Sequence, residues 1–334
     1  MQTRLPHFTV RALINFLVRQ GLDRQQLLLL VNTSLEELND QGTSYASAAY
    51  ERLLQFGEQQ LGMCNVGFLH GKAFELSFWG ILGHIVAASP TIADALYYQK
   101  RYQCLLGTNG TAYHELEGDV ATIRWLSGPD ASANSIEQVI TAWIAFAFIF
   151  TQSEDQPLSV HFTHAPLADK ADYETFFRCP VFFHAEFNGV RLKTRLLQLP
   201  LNAYNQEVLD VLCHHAEQKL TALKTSGSID IIQQFITESL PTRVPELNDV
   251  ASFLGISSRQ LQRNFQKQST SLTEVLDTVR KRLAAAYLTQ TDHKLVDIAT
   301  ILGYSEQSAF QRAFKRWFDT TPQDFRLHPR PINT

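Results

Sequence analysis

Long hydrophobic runs are missing from this sequence. The longest apolar stretch, Val139 to Phe150, is shorter than the roughly 20 residues a bilayer crossing needs. The N-terminus, MQTRLPHFTVRALINFLVRQ, lacks the apolar core and cleavage site of a signal peptide. A soluble cytoplasmic protein with no membrane partner is expected. Cysteine is scarce: Cys64, Cys104, Cys179 and Cys213 stand apart, with no C-x-x-C pair. That excludes a disulfide framework and reads as reduced thiols. The one local cluster, Cys213-His214-His215, places neighbours about 100° apart on a helix, so no metal site is expected. Gly and Pro number 16 and 12 without periodicity, which rules out collagen-like and low-complexity chains. There is no Gly-rich phosphate loop, no G-x-S-x-G and no H-E-x-x-H. His161 and His164 would point to opposite faces of one strand. Neither an enzyme nor a cofactor is expected.

A strong charge excess is missing too. The 334 residues carry a net charge of −4. From Ser228 onward 13 basic and 11 acidic residues leave +2, and the remainder carries −6. Nucleic-acid-binding domains are often far more basic, so the placement of the charges has to make any such case. What is present is packing material: 45% hydrophobic and 19% charged residues, enough for two globular domains.

Residues 1 to about 110 read as helices. Leu13, Ile14, Leu17 and Val18 recur at helical spacing, as do Tyr50, Leu53, Leu54 and Leu61. Asp23, Thr33 and Ser44 are expected N-caps. After Ser89-Pro90-Thr91 a new helix begins. In Thr111 to Ser127 two alternating runs flank Glu117-Gly118-Asp119, which fits a β-hairpin. Ser135 opens an all-apolar, central helix. LSVHFTH reads as a strand, Lys170 to Arg178 as a short helix, and VFFHAEFNGVRLKT as a second hairpin turning at Asn188-Gly189. Between Asn205 and Lys224 one apolar stripe, Leu209, Leu212, Ala216, Leu220 and Leu223, suits either pairing across a homodimer or packing on its own domain. Thr225-Ser226-Gly227-Ser228 reads as a flexible linker. The expected domains are 1–202, a linker helix and linker over 203–227, and 228–330.

The last of these holds an internal repeat. DVASFLGISSRQLQRNFQKQ from Asp249 returns as DIATILGYSEQSAFQRAFKR from Asp297. Asp249, Ala251, Leu254, Gly255 and Ser257 recur 48 residues on, and Leu261, Arg263 and Phe265 recur 49 on. Each copy spells helix, tight turn, helix. The alanines allow close approach, the glycines supply positive φ, and Ser257 and Ser305 are placed to cap the second helix. Leu261 with Phe265, and Phe310 with Phe314, form inward i, i+4 pairs. This is a duplicated helix-turn-helix pattern. Outward lie Arg259, Gln262, Arg263 and Lys267 in the first copy, and Gln307, Ser308, Gln311, Arg312, Lys315 and Arg316 in the second. Arg reads guanine bidentately and Gln reads adenine. Charges near the helix ends suit phosphates.

Residues 228–330 resemble the DNA-binding domain of AraC/XylS-family transcription regulators, over VDIATILGYSEQSAFQRAFKRWFDTTPQDFR and LQRNFQKQSTSLTEVLDTVRKRLAAAYL. The resemblance implies seven helices, with a connecting helix near Leu272 to Leu288 holding two recognition helices about one helical turn of DNA apart. It puts base contacts on Arg259, Gln262, Arg263, Gln307, Ser308, Gln311 and Arg312. Phosphate contacts are expected from Ser257, Lys267, Ser305, Lys315 and Arg316. Ser269 and Asp319 stand where relatives commonly have Gly. Upstream, FWGILGHIVAASPTIADALYYQKRY and ADYETFFRCPVFFHAEFNGVRL resemble the α+β "arabinose-binding-like" domain of one branch of that family. The fold class expected is therefore mainly α: an α+β sensing or dimerising domain followed by an all-α DNA reader, the alternatives being a ligand-independent regulator whose first domain only dimerises and an enzyme with a vestigial DNA-binding tail. The partners expected are double-stranded DNA, RNA polymerase, a second copy of the chain and a small-molecule effector. Phe74, Phe78, Trp79, His84, Tyr102, Trp125 and Trp143 are candidates to line an effector pocket. A fatty-acid-like effector would suit these residues, and an amino-acid-like one would suit Arg101 or Arg124 as a carboxylate clamp.

Overall fold

A computed structural model describes residues 4–328 apart from 41, 108, 109, 129, 130 and 227. The chain divides into two compact units, one ending at Ala216 and the other running from Glu217.

The first unit opens with strand β1 (Arg4–Pro6) and helices α1 (His7–Arg19), α2 (Arg24–Leu30) and α3 (Leu35–Asn39). Strand β2 (Ser44–Ala46) pairs antiparallel with β1. Helices α4 (Ser47–Leu61), α5 (Val66–Lys72), α6 (Gly80–Ala87) and α7 (Ile92–Tyr102) follow. Asp23 caps α2 as expected, its side chain accepting from Gln26 N. The other two caps differ. Ser34, not Thr33, caps α3, because a capping box with Glu37 favours the serine. Ser44 is drawn into β2, and α4 starts after Ala46 with no side-chain cap.

Strands β3 (Gly110–Glu117) and β4 (Val120–Ser127) form the expected hairpin, turning at Gly118 with φ 61° and Asp119. Then come α8 (Ala133–Thr151), β5 (Ser159–His161), α9 (Lys170–Phe177), β6 (Val181–Phe182), β7 (Gly189–Lys193) and α10 (Gln206–Ser226). The sheet order is β3-β4-β7-β5-β6. The second hairpin does not form. β6 runs parallel to β5, and β5 lies between β6 and β7. Asn188 is buried, and its side-chain oxygen accepts from Thr163 N at 2.8 Å. Its carbonyl accepts from Trp125 N, so it anchors the entry to β7 instead of turning a hairpin.

Helix α8 begins at Ala133, with Ser132 as its cap. Among the described residues it is the one helix long and apolar enough to cross a membrane, because it extends the apolar run in both directions. Here it is a core helix. Ile136, Ile140 and Ile144 pack with Ala121, Val160 and Val190 of the sheet. Against α5 the approach is tight, for a Cβ on Gly71 would lie 2.6 Å from Thr141 Cβ.

Helix α10 runs through the expected linker as far as Ser226, and Gly227 lies outside the described residues, as do 329 and 330 at the end of the expected third domain. Its apolar stripe is largely withdrawn from solvent: Leu209, Ala216 and Leu220 are buried, while Val208 and Val211 are exposed. The second unit continues with seven helices: α11 (Ile229–Ser239), α12 (Leu247–Leu254), α13 (Ser258–Lys267), α14 (Leu272–Gln290), α15 (Leu295–Ile301), α16 (Gln307–Phe318) and α17 (Pro322–Leu327). The protein is thus an α+β unit followed by an all-α unit.

Candidate functional site

The repeat folds as two helix-turn-helix pairs, α12–α13 and α15–α16. Gly255 and Gly303 end the first helix of each pair with φ of 68° and 72°. Ala251 and Ala299 are buried where the helices meet. Ser257 caps α13 by accepting from Gln260 N at 3.2 Å. Ser305 does not cap α16. One extra residue, Glu306, follows it and occupies the N-cap position without a side-chain cap bond. Ser305 is exposed one residue before it. That insertion is the slip from 48 to 49 in the repeat.

Each second helix is sharply two-faced. Leu261 and Phe265 of α13, and Phe310 and Phe314 of α16, are buried. Arg259, Gln262, Arg263 and Lys267 are exposed together on α13, and Ser308, Gln311, Arg312, Lys315 and Arg316 on α16. Gln307, at the first turn of α16, is half-buried. On α16, two of the expected contacts already have protein partners. Ser308 Oγ donates to Glu306 Oε2 at 3.1 Å. Arg316 pairs with Asp277 of α14 at 2.7 Å. On α13, Gln260 orients Arg263: it accepts from Arg263 Nη2 at 2.7 Å and donates to Asn264 Oδ1 at 2.9 Å. A preset guanidinium loses less rotamer freedom on docking.

The connecting helix α14 supplies residues that sequence reasoning missed. Arg280 Nε donates to Leu302 O at 2.8 Å, and its Nη2 donates to Gly303 O at 3.1 Å. Its guanidinium also lies 4.4 Å from the Tyr304 ring centroid. One side chain thus satisfies the carbonyls that end α15 and braces the second turn. Arg282 donates to Thr237 of α11 at 3.2 Å, and burial pushes its pKa down to about 10. Arg326 of α17 donates to Leu288 O and His293 O, at the far end of α14. In the sequence DTVRKR reads as solvated charge, and nothing there marks Asp277, Arg280 or Arg282 as braces. Ser269 and Asp319, at the two positions where relatives commonly have Gly, both adopt left-handed backbone, φ 50° and 52°. The turn geometry is kept at a cost of about 1–2 kcal/mol each.

The first unit contains a cavity of about 390 Å³. Of the seven expected lining residues, Phe78, Trp79, Trp125 and Trp143 face it. Phe74 stands behind them, its ring 4.5 Å from Trp79. Tyr102 is buried and stacks at 6.3 Å on Tyr98, away from the lining, and His84 is exposed to solvent. Arg101 and Arg124 are not among the lining residues. Arg124 pairs with Glu115 at 3.0 Å and stacks on Phe187. His70, unnoticed in the sequence, lines the cavity beside Tyr50. Burial pushes its pKa down to about 3, so it is neutral at physiological pH.

Comparison with known proteins bears on both units. The family described as the arabinose-binding domain of AraC transcription regulators, N-terminal, matches residues 21–201. A helix-turn-helix domain family matches residues 250–328. The ornithine utilization regulator of Pseudomonas aeruginosa is 25% identical over 97% of each chain. The transcriptional regulator VirS of Mycobacterium tuberculosis is 29% identical over 50% of this chain and 49% of its own. The crystal structure of the transcriptional regulator CdpR from Pseudomonas aeruginosa is 22% identical, covers 96% of this chain and 98% of its own, and superposes with a TM-score of 0.47.

Proposed function

This chain belongs to the AraC family of transcription regulators, and we propose that α13 and α16 each read one segment of a bipartite promoter site. Sequence-specific DNA binding is the family's activity and the chain's. The observation that carries the residue assignment is the pairing of two exposed Arg/Gln faces on helices fixed from behind by buried aromatic and aliphatic residues. Arg259, Gln262, Arg263, Gln307, Ser308, Gln311 and Arg312 contact base edges in this reading. Lys267 and Lys315, with Ser257 and Ser305, meet phosphates. Arg316 joins them only by sharing its guanidinium with Asp277.

The cavity supports a second part of the reading: the first unit senses a small molecule and changes how the DNA readers are presented. A dimer, and contact with RNA polymerase at the promoter, complete it. No chemical step is needed. Footprinting tests the bipartite reading. Two protected segments on one DNA face, centred about 10 bp apart, are expected for each bound chain. A single short segment per chain would contradict it.

A further inference from the structure

Building on the reading of the first unit as a sensor, we propose that its effector is an apolar monocarboxylate. Its anionic end lies on Lys100, and its uncharged body lies among Trp79, Trp125, Trp143, Phe146 and Phe148. The cavity's volume of about 390 Å³ falls in the range of small-molecule sites. Its walls are mostly aromatic and aliphatic, which favours a body with few polar groups. Apart from imidazoles, two charged side chains line it, Lys100 and Asp155. Asp155 is committed elsewhere: it accepts from Arg195 Nη1 at 3.3 Å and Nη2 at 2.7 Å, and that contact holds its carboxyl below the usual range. Lys100 is exposed, in the last turn of α7, and makes no ion pair among the described residues. An exposed side chain that also lines the cavity stands at its opening. The deep wall holds His70, buried and neutral.

Apart from the exposed imidazole of His114, the cavity therefore offers one unpaired positive charge at its mouth and none within. A carboxylate meets that charge directly. An amino acid would bring an ammonium with no carboxylate free to receive it, and a diamino acid would bring two. The competing arrangement is an ammonium seated on a tryptophan face.

Calorimetric titration and melting of the full chain would separate these cases, using octanoate and 3-phenylpropanoate below their micellar range, 1-octanol and ornithine. Both carboxylates are expected to bind and raise the melting temperature. Octanol should bind about tenfold more weakly, the scale of one charge-assisted contact. Lys100→Met should reduce octanoate to the level of octanol while leaving octanol unchanged. Stabilisation by ornithine alone would overturn the carboxylate assignment and leave the sensor reading standing. Equal octanoate affinity in wild type and Lys100→Met would also overturn it. No shift with any of the four would overturn the assignment together with the sensor reading.

Discussion

Glu137→Gln is expected to stabilise the first unit by roughly 4 kcal/mol at pH 8, and hardly at all near pH 4.5. Glu137 sits in the second turn of the sheet-facing helix α8, fully buried. Tyr173 donates to its Oε1 at 2.8 Å, and Oε2 has no hydrogen-bond partner among the described residues. Burial pushes its carboxyl up to about 8, against a smaller lowering by the Tyr173 bond. The unfolded chain releases this proton near 4.5, well before the folded chain does. Rising pH therefore favours unfolding from about 4.5 until the folded carboxyl itself ionises near 8. Glutamine keeps the Tyr173 bond and has no charge to bury. Wild-type stability alone would not isolate the effect. Burial lowers His70 and His161 to about 3 and about 4, so the folded chain resists their protonation and stability falls as pH drops below 6.5. The difference between the two proteins removes that contribution. Denaturant melts at pH 5 and pH 8 would show it, and a constant difference across that interval would count against a neutral buried Glu137.

Gly303→Ala should cost the second unit about 2–4 kcal/mol, and Gly255→Ala only about 1. Both glycines hold the same left-handed turn in the two copies of the repeat, and that term is shared. The surroundings differ. A Cβ on Gly255 would meet nothing within 4 Å. On Gly303 it would lie 2.6 Å from Val244 Cγ2 and 3.3 Å from Leu240 Cδ2, beside the guanidinium of Arg280. The second turn is packed from three sides, and the first stands in solvent. Calorimetric melting of the full chain would measure both substitutions. Equal costs would mean that the brace around Gly303 yields freely, and that the second helix-turn-helix is no more firmly held than the first.

The duplicated turn was the most legible part of the chain. Its signature is local: a small residue, a glycine, a polar cap and an i, i+4 apolar pair fix a helix-turn-helix with no long-range information. The same locality explains the misreading of Ser305. The repeat aligned it with Ser257, but one inserted residue, Glu306, moved the helix start beyond its reach. The sheet was harder to read. Each strand was visible as an alternating run, yet β5 enters between β6 and β7, and that pairing depends on how distant segments pack. Asn188-Gly189 read as a hairpin turn, and the tertiary fold overrode that local preference. In the cavity, aromatic residues could be proposed one by one, and four of seven face it. Which aromatics point inward depends on how α8 lies against the sheet. Asp277, Arg280 and Arg282 were invisible for a related reason, since a charged residue on a helix reads as solvated until the surface it braces is known.

The assignment of the base-reading faces stands on α13 and α16 acting together. Selection of bound DNA from a random duplex library tests it most directly, with the purified wild type beside Arg263→Ala, Arg312→Ala and the double variant. Both side chains are exposed, so the variants should fold as the wild type does. The wild type is expected to return a two-part motif. Each single variant should relax one part, at about 1–3 kcal/mol of lost discrimination, and the double variant should keep only salt-sensitive binding without sequence preference. An unchanged two-part motif from the double variant would contradict the assignment of α13 and α16 as the reading helices.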